Sequence, residues 1–290
     1  MVSVLILTFN EEVNLGHCLN SVAWSDDVVV VDSYSSDRTV EIAKAKGARV
    51  LQNRFVDFAA QRNFGVTQGN PAHDWVLHLD ADEIVPEELR AEILAAAGMS
   101  SFSAYRMASK TMFEGRWLRF AGMFPAYQVR LGRTDKLRFK MIGHGQREML
   151  EAREVGTLKS ALIHYSFSKG LDDWFVRHNR YSAAEARENL ESLVNGAAVW
   201  RGLVSPNLTE RRRALKALSI HLPCRPLLRF LYMFVLHLGF LDGLPGYRYC
   251  RLVALYEHMI VLKLRELRRG ETCVGAKAQR GTAATEGRRD

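Results

Sequence analysis

Cysteine is scarce in this 290-residue chain and its four copies are scattered: Cys18, Cys224, Cys250 and Cys273 form no Cys-X-X-Cys pair. That spacing excludes a zinc ribbon or a disulfide-stapled scaffold and leaves reduced cytosolic thiols as the plain expectation. No Gly-X-Gly-X-X-Gly and no Gly-X4-Gly-Lys-Ser/Thr is present, which disfavours a dinucleotide fold and a P-loop. Uninterrupted apolar runs are short. None reaches the roughly 20 residues of an uncharged spanning helix. No basic segment leads into an apolar run with a cleavage site at the N-terminus, so a secretory signal is not expected. Internal repeats and heptads are also missing.

What is present is an apolar core and an uneven charge. Hydrophobic residues make up 48% of the chain, enough for one large domain with appendages or two small ones. The formal charge is +8, yet residues 201–290 hold 17 Lys and Arg against 7 Asp and Glu, so the first 200 residues are slightly acidic. A basic C-terminal third suits an anionic membrane surface, a phosphorylated lipid or nucleic acid. No recognised nucleic-acid-binding motif accompanies it, and no nucleic-acid partner is expected.

The chain is organised around Trp75-Val76-Leu77-His78-Leu79-Asp80-Ala81-Asp82-Glu83. The apolar run is short enough to be a buried strand, and it stops on three carboxylates. Acids crowded at a strand end repel one another unless a cation sits there. A divalent ion carrying a diphosphate is a natural partner, because hard oxygen ligands suit Mg²⁺ or Mn²⁺. Taken alone, the same stretch also reads as a strand and a solvated acidic turn opening the helix at Pro86-Glu87-Glu88.

The preceding residues sharpen the choice. Residues 2–7 read as a first buried strand, running into Thr8-Phe9-Asn10. Asn10 is placed to cap a helix whose buried face is Val13, Leu15, Cys18, Leu19 and Val22. Val28 to Val31 form a second strand ending at Asp32, then comes a helix over 39–46 stopped by Gly47 and a short strand at 49–51. A helical pattern over 57–69 carries Arg62. Strands with unbroken apolar runs alternating with helices predict a mostly parallel sheet flanked by helices. Ligands of such sheets sit beyond the carboxyl ends of the strands, where Thr8-Phe9, Asp32 and Asp80/Asp82 all fall.

Leu7-Thr8-Phe9-Asn10-Glu11-Glu12, Val31-Asp32-Ser33-Tyr34-Ser35-Ser36-Asp37, Arg62-Asn63 and Leu79-Asp80-Ala81-Asp82-Glu83 together resemble a family 2 glycosyltransferase with the GT-A fold. The resemblance covers about the first 90 residues. His164-Tyr165-Ser166 and Gly239-Phe240-Leu241-Asp242-Gly243 are similar to the branch containing lipopolysaccharide core β-1,4-glucosyltransferases. The resemblance implies that Thr8 and Phe9 line a nucleoside pocket, that Glu11 hydrogen-bonds ribose or base, and that Asp32 accepts from the base. Arg62 would reach the base or a phosphate, Asp80 would face ribose or sugar, and Asp82 would hold a divalent metal, Mg²⁺ or Mn²⁺, with a UDP-sugar as donor. Ser33 stands where many relatives carry a second aspartate. A downstream histidine completes the metal site of many such enzymes, which makes His164 a candidate ligand; a structural histidine is the plainer alternative.

An inverting transferase takes a proton from the attacking hydroxyl. Glu148, near the loop Gly143-His144-Gly145, is the candidate base, with Asp172 and Asp173 as rivals. Arg116, Arg119, Arg130, Arg133 and Arg138 recur beside aromatics and suit a phosphorylated acceptor or the donor diphosphate. From residue 169 the character turns helical. Phe175, Tyr181, Ala184 and Leu190 read as the buried side of an amphipathic helix. Residues 226–241 are apolar but interrupted by Arg229 and His237, and Pro245 cuts them off. An interfacial or hairpin-like helix with basic flanks fits them.

The domain reading is a nucleotide-sugar half (1–100), an acceptor half (101–168), a helical membrane-associating region (169–270) and a disordered tail (271–290). The expected function is metal-dependent, inverting transfer of a hexose, glucose from UDP-glucose, onto a lipid-linked saccharide such as lipopolysaccharide inner core. The expected location is the inner face of the cell membrane, peripheral and cytoplasmic. Transfer to a polyprenyl phosphate, and a non-catalytic nucleotide-sugar-binding membrane scaffold, are the alternatives.

Overall fold

The structure, a computed structural model, describes residues 1–99, 101–142, 145–194, 204, 211 and 224–286. They fall into two units: Met1–Trp174 with Leu236–Tyr249, and Phe175–Val235 with Cys250–Asp290.

In the first unit β1 (Ser3–Thr8), α1 (Leu15–Ser21), β2 (Val28–Asp32), α2 (Thr39–Ala45), β3 (Arg49–Gln52), α3 (Phe58–Gly69) and β4 (Trp75–Asp80) alternate as the apolar runs predict. After β4 come β5 (Glu83–Ile84), α4 (Glu87–Met99), β6 (Ala104–Phe113), β7 (Arg116–Trp117) and β8 (Tyr127–Arg133). Next are β9 (Phe139–Ile142), β10 (Gly145–Glu148) and β11 (Val155–His164). The large sheet has the order β3-β2-β1-β4-β8-β6-β11-β5, with β7 on β6, and β9 and β10 form a separate ribbon.

The strands β3, β2, β1 and β4 run parallel. β8 enters antiparallel to both β4 and β6, and β11 pairs parallel with β6. Two reversals restore the direction, so β6 and β11 point the same way as β4. Thr8, Asp32, Asp80 and His164 therefore all end at one edge of the sheet.

Both faces are covered, which is why the strands are apolar throughout. On one face Val4, Ile6, Val30, Leu77 and Leu79 pack with Leu15, Cys18 and Leu19 of α1 and Leu89 and Ile93 of α4. On the other, Leu5, Leu7, Val29, Val31 and Val76 pack with Val66 of α3. Gly65 lets α3 come close: a Cβ there would run into Leu5 and stand 2.8 Å from Val31 Cγ2.

The entry to α1 differs from expectation. Asn10 does not cap it; the helix begins at Leu15 with Asn14 at the N-cap, and Val13 is exposed. Asn10 instead takes a left-handed conformation (φ 53°), and its Oδ1 accepts from Ser36 N at 2.8 Å. The side-chain amide is used across two loops rather than along its own helix.

In the second unit, α5 (Gly170–Val194) runs beside the later part of α7 (Gly243–Glu286), and α6 (Arg225–Leu231) joins them. Lys263 Nζ donates to Asn179 Oδ1 (2.6 Å) and Ser182 Oγ (2.8 Å), and Arg225 pairs with Glu257 at 2.9 Å. The buried side of α5 here is Ser182, Glu185, Ala186 and Asn189, whereas Phe175 and Ala184 are exposed. A polar seam replaces the apolar stripe expected there, because Glu185 hydrogen-bonds the Tyr256 hydroxyl. Among the described residues no single helix is long and apolar enough to cross a membrane. Residues Arg225–Leu236 and Gly239–Gly270 reach that composition only when taken together.

Candidate active site

The strand-end edge gathers three groups of side chains. At the β1–β2 end, Thr8 and Asp32 are register partners, and Thr8 Oγ1 donates to Asp32 Oδ1 at 3.0 Å. Asp32 also accepts from Ser35 N (2.9 Å), Ser35 Oγ (2.5 Å) and Gln52 Nε2 (3.4 Å), and is fully buried. Its carboxylate shapes the turn that carries Tyr34 (φ 62°) rather than standing open to a ligand. Phe9 and Tyr34 are both exposed on the loops that follow the two strands. Those loops are laced together: Asn10 N donates to Ser35 Oγ, Glu11 N to Thr39 Oγ1 and Glu12 N to Asp37 Oδ2, at 2.7–3.0 Å. Glu11 meets Lys169 Nζ at 2.6 Å, and the same ammonium reaches the carbonyls of Phe9 and Asn10. Burial raises the Glu11 pKa against the pull of Lys169.

At the β4 end, Asp80 is gripped from two sides. Arg62 Nη2 of α3 donates to Oδ1 at 2.6 Å and Arg130 Nη2 of β8 to Oδ2 at 2.8 Å. Arg130 also donates to Glu83 at 2.7 Å, and Glu83 in turn accepts from Asp80 N at 2.9 Å. Two buried guanidinium groups and two carboxylates thus form one near-neutral cluster, the arrangement that makes buried charge tolerable. Burial alone would raise the Asp80 pKa, but Arg130 and Arg62 hold it well below the usual carboxylate range. Burial pushes the Glu83 pKa up. Burial and the nearby Arg130 lower Arg62 to about 10 against the pull of Asp80. Arg62 Nε donates to Gln146 Oε1 of β10 at 3.0 Å. Arg62 Nη1 and Arg130 Nε and Nη1 are buried with no hydrogen-bond partner among the described residues.

Beyond this cluster lies a pair. His164 Nε2 is 3.3 Å from Asp82 Oδ2, and Tyr165 N donates to the Asp82 carbonyl at 2.9 Å. Burial opposes the charge on His164, yet Asp82 outweighs it and raises the imidazole to about 9. Two atoms bound to one ion at right angles, each at the roughly 2.1 Å typical of Mg²⁺, lie about 3 Å apart. The 3.3 Å spacing is that of an ion pair, and it would also suit neighbouring ligands of a divalent cation once His164 gives up its proton. No group of three or more candidate ligands occurs among the described residues. One carboxylate and one imidazole would leave most of a cation's shell to substrate phosphates and water. Asp80, engaged by two arginines, is not available for that role in this geometry.

The edge thus brings together Thr8 with Asp32, Arg62 with Asp80, and Asp82 with His164. Glu148 lies in β10, two residues beyond Gln146. It pairs with Phe139 in the β9–β10 ribbon, and the ribbon's hydrogen bond to the cluster is made by Gln146. Gly143 and His144 lie outside the described residues. Asp172 sits exposed in the first turn of α5. Sequence reasoning placed Arg130 among several cations and missed its part in fixing Asp80 and Glu83. The available signal was an arginine inside the run Val129-Arg130-Leu131, where a buried strand tolerates charge only when it is paired. Lys169 and Gln146 carried no such signal.

Asp242 also finds a use. Its carboxylate, 3% exposed, accepts from the backbone N–H groups of Arg119 (3.2 Å), Phe120 (2.9 Å) and Ala121 (2.7 Å).

Comparison with known proteins gives these motifs a setting. An uncharacterized glycosyltransferase of Rickettsia typhi is 36% identical over 39% of this chain and 40% of its own length. Another from Rickettsia prowazekii is 25% identical over 92% of this chain and 87% of its own. A lipopolysaccharide core biosynthesis glycosyltransferase of Rhizobium meliloti is 25% identical over 66% of this chain and 72% of its own. Among solved structures, Staphylococcus aureus TarS 1–349 aligns with a TM-score of 0.43 at 18% identity, covering 86% of this chain and 90% of that one. Residues 3–119 match the glycosyl transferase family 2 model, and the strand-end motifs of β1, β2 and β4 lie within that span. Through this segment, about two fifths of its length, the chain is similar to glycosyl transferase family 2.

Proposed function

We propose that this protein transfers a hexose, glucose from UDP-glucose, onto a lipid-linked saccharide such as a lipopolysaccharide inner core, with inversion at the anomeric carbon. The observation that carries the reading is the Asp82–His164 pair, at 3.3 Å, beside an Asp80 neutralised by Arg62 and Arg130. In this reading the two residues would ligate a cation that holds a diphosphate, on the edge where parallel sheets bind nucleotides. The acceptor chemistry is drawn from the Rhizobium meliloti relative, which is named for lipopolysaccharide core biosynthesis.

In this reading Phe9 and Tyr34 offer exposed aromatic faces to the nucleobase, and Asp32 keeps their loops in place. Arg62 and Arg130 hold the turn at residues 80–83 so that Asp82 faces His164. A bound Mg²⁺ or Mn²⁺ would offset the negative charge that builds on the departing UDP. The acceptor oxygen forms the new bond to the anomeric carbon as the bond to the UDP oxygen breaks, and the hydroxyl proton passes to a base. Glu148 is the sequence candidate for that base. The protein works, in this reading, at the cytoplasmic face of the membrane.

A second reading is favoured by one observation: among the described residues Glu148 makes no hydrogen bond to the strand-end cluster. A polyprenyl phosphate acceptor is already anionic and needs no base. The test measures UDP release from a panel of sugar nucleotides with membrane lipid extract and Mn²⁺, for wild type, Asp82→Ala, Glu148→Gln, Asp172→Asn and Asp173→Asn. Acceptor-stimulated release from UDP-glucose, lost in Asp82→Ala, supports the transferase. If Glu148→Gln keeps full activity, and Asp172→Asn and Asp173→Asn do so as well, the phosphate acceptor replaces the saccharide hydroxyl. Release that survives Asp82→Ala unchanged contradicts both readings.

A further inference from the structure

The segment 236–247 of the first unit exposes large apolar side chains where a soluble surface would hide them. Leu236 is 73% exposed, Leu238 43%, Leu241 48% and Leu244 57%. They occupy a short knuckle in which a 3₁₀ turn, Gly239–Asp242, precedes α7. A flexible hydrophobic loop would bury such side chains on itself. This one is held open. Asp242 is buried against the N–H groups of residues 119–121, and a Cβ at Gly246 would collide with the Gly239 carbonyl oxygen.

The anchor point leads to the catalytic edge. Leu118 N donates to Thr111 O at 2.9 Å, and Thr111 is the β6 register partner of His164. The surroundings of the knuckle are cationic and aromatic. Arg116 Nη2 lies 3.5 Å from Leu241 O. Arg119 stands over the rings of Trp117 and Phe120, and Lys110 over Trp117, at 5.1–6.0 Å from their centroids. Glu114, the acid nearest Arg116 in sequence, pairs with Arg248 at 2.9 Å. Exposed leucines rimmed by arginine, lysine and tryptophan match the apolar interior, phosphate layer and interface of an anionic bilayer in turn.

We propose that Leu236, Leu238, Leu241 and Leu244 insert into an anionic lipid surface and seat the catalytic edge on it, with Asp242 tying the seat to the loop beside His164. The inference deepens the lipid-linked acceptor reading and rests on it for its purpose. The binding itself can be measured without any transfer reaction.

The experiment is co-sedimentation of the full chain with vesicles of phosphatidylcholine containing phosphatidylglycerol, compared with phosphatidylcholine alone. Wild type is set against the double variant Leu236→Glu/Leu244→Glu. Both positions are exposed, so the fold is preserved, and circular dichroism checks it. Wild type is expected to partition onto the anionic vesicles, and the variant at least about a hundredfold less, since two leucine side chains leave the apolar phase. Arg116→Ala/Arg119→Ala should weaken binding to anionic vesicles about thirtyfold, in line with roughly 1 kcal/mol for each of the two surface cations. Equal partitioning of wild type and the leucine variant overturns the proposal, as does a wild type that binds neither vesicle. So does light scattering that shows a dimer broken by the leucine substitutions without any vesicle binding, because the surface then joins two copies. UDP release in detergent is the separate control. Its loss in wild type would remove the transferase reading while leaving the vesicle result standing.

Discussion

Replacing Arg130 by methionine isolates the contribution of the strand-end charge cluster. Its side chain is 4% exposed and it ties Asp80 to Glu83, whose side chain is 1% exposed. Arg62 still neutralises Asp80 in the variant, so Glu83 is the group left buried without a cation. Removing one partner of a buried pair costs about 3–5 kcal/mol. A domain has roughly 5–15 kcal/mol in all, so Arg130→Met should lie close to the folding threshold. Urea titration followed by tryptophan fluorescence measures the loss. Adding Glu83→Gln removes the orphaned charge while keeping an oxygen for Asp80 N, and should recover at least about half of it. A control comes from Arg38, exposed and paired with exposed Glu12 at 3.3 Å. Arg38→Ala should cost no more than about 1 kcal/mol. If Arg130→Met loses less than that, or if Glu83→Gln gives no recovery, the cluster does not hold the turn as argued.

Two further outcomes follow from buried carboxylates. Asp27 accepts from Ala72 N (2.7 Å), Ser3 Oγ (2.6 Å) and Arg49 Nη2 (2.7 Å). Burial would raise its pKa, but these donors together bring it below the ordinary value. A depressed folded-state pKa means the stabilisation is complete above the unfolded value of about 4 and is lost as pH falls through the folded one. Thermal unfolding between pH 6 and 3 should therefore show a shallower acid limb for Asp27→Asn than for wild type. Asp242→Ala strands three backbone donors that the carboxylate now accepts from. It should cost about 2–4 kcal/mol and open Arg119 to trypsin, with Asp242→Asn intermediate in a timed digest.

Much of the N-terminal half is legible in the sequence because a strand covered on both faces must be apolar throughout. Its polar residues then collect at the ends, which is how Thr8, Asp32, Asp80 and Asp82 announce themselves. The alternation of strands and helices up to residue 80 is local and reads directly. The rest depends on long-range pairing. Nothing near residue 130 says that β8 runs antiparallel between β4 and β6, yet that reversal delivers Arg130 to Asp80 and turns β11 so that His164 meets Asp82. Asn10 shows the limit at short range: an asparagine before a helix is a fair cap, but its side chain found Ser36, 26 residues away. The face of α5 was misplaced for a similar reason. Glu185 looks like a solvent-side acid until Tyr256 is known to stand opposite it.

The most direct test of the central claim is calorimetry of UDP with the full chain, in Mn²⁺ and in EDTA, for wild type, Asp82→Asn, His164→Ala and Asp172→Ala. Binding should depend on Mn²⁺ in wild type and Asp172→Ala, and should weaken at least about tenfold with either ligand substitution. Equal affinity in EDTA and in all four proteins would contradict a metal-held diphosphate at Asp82 and His164.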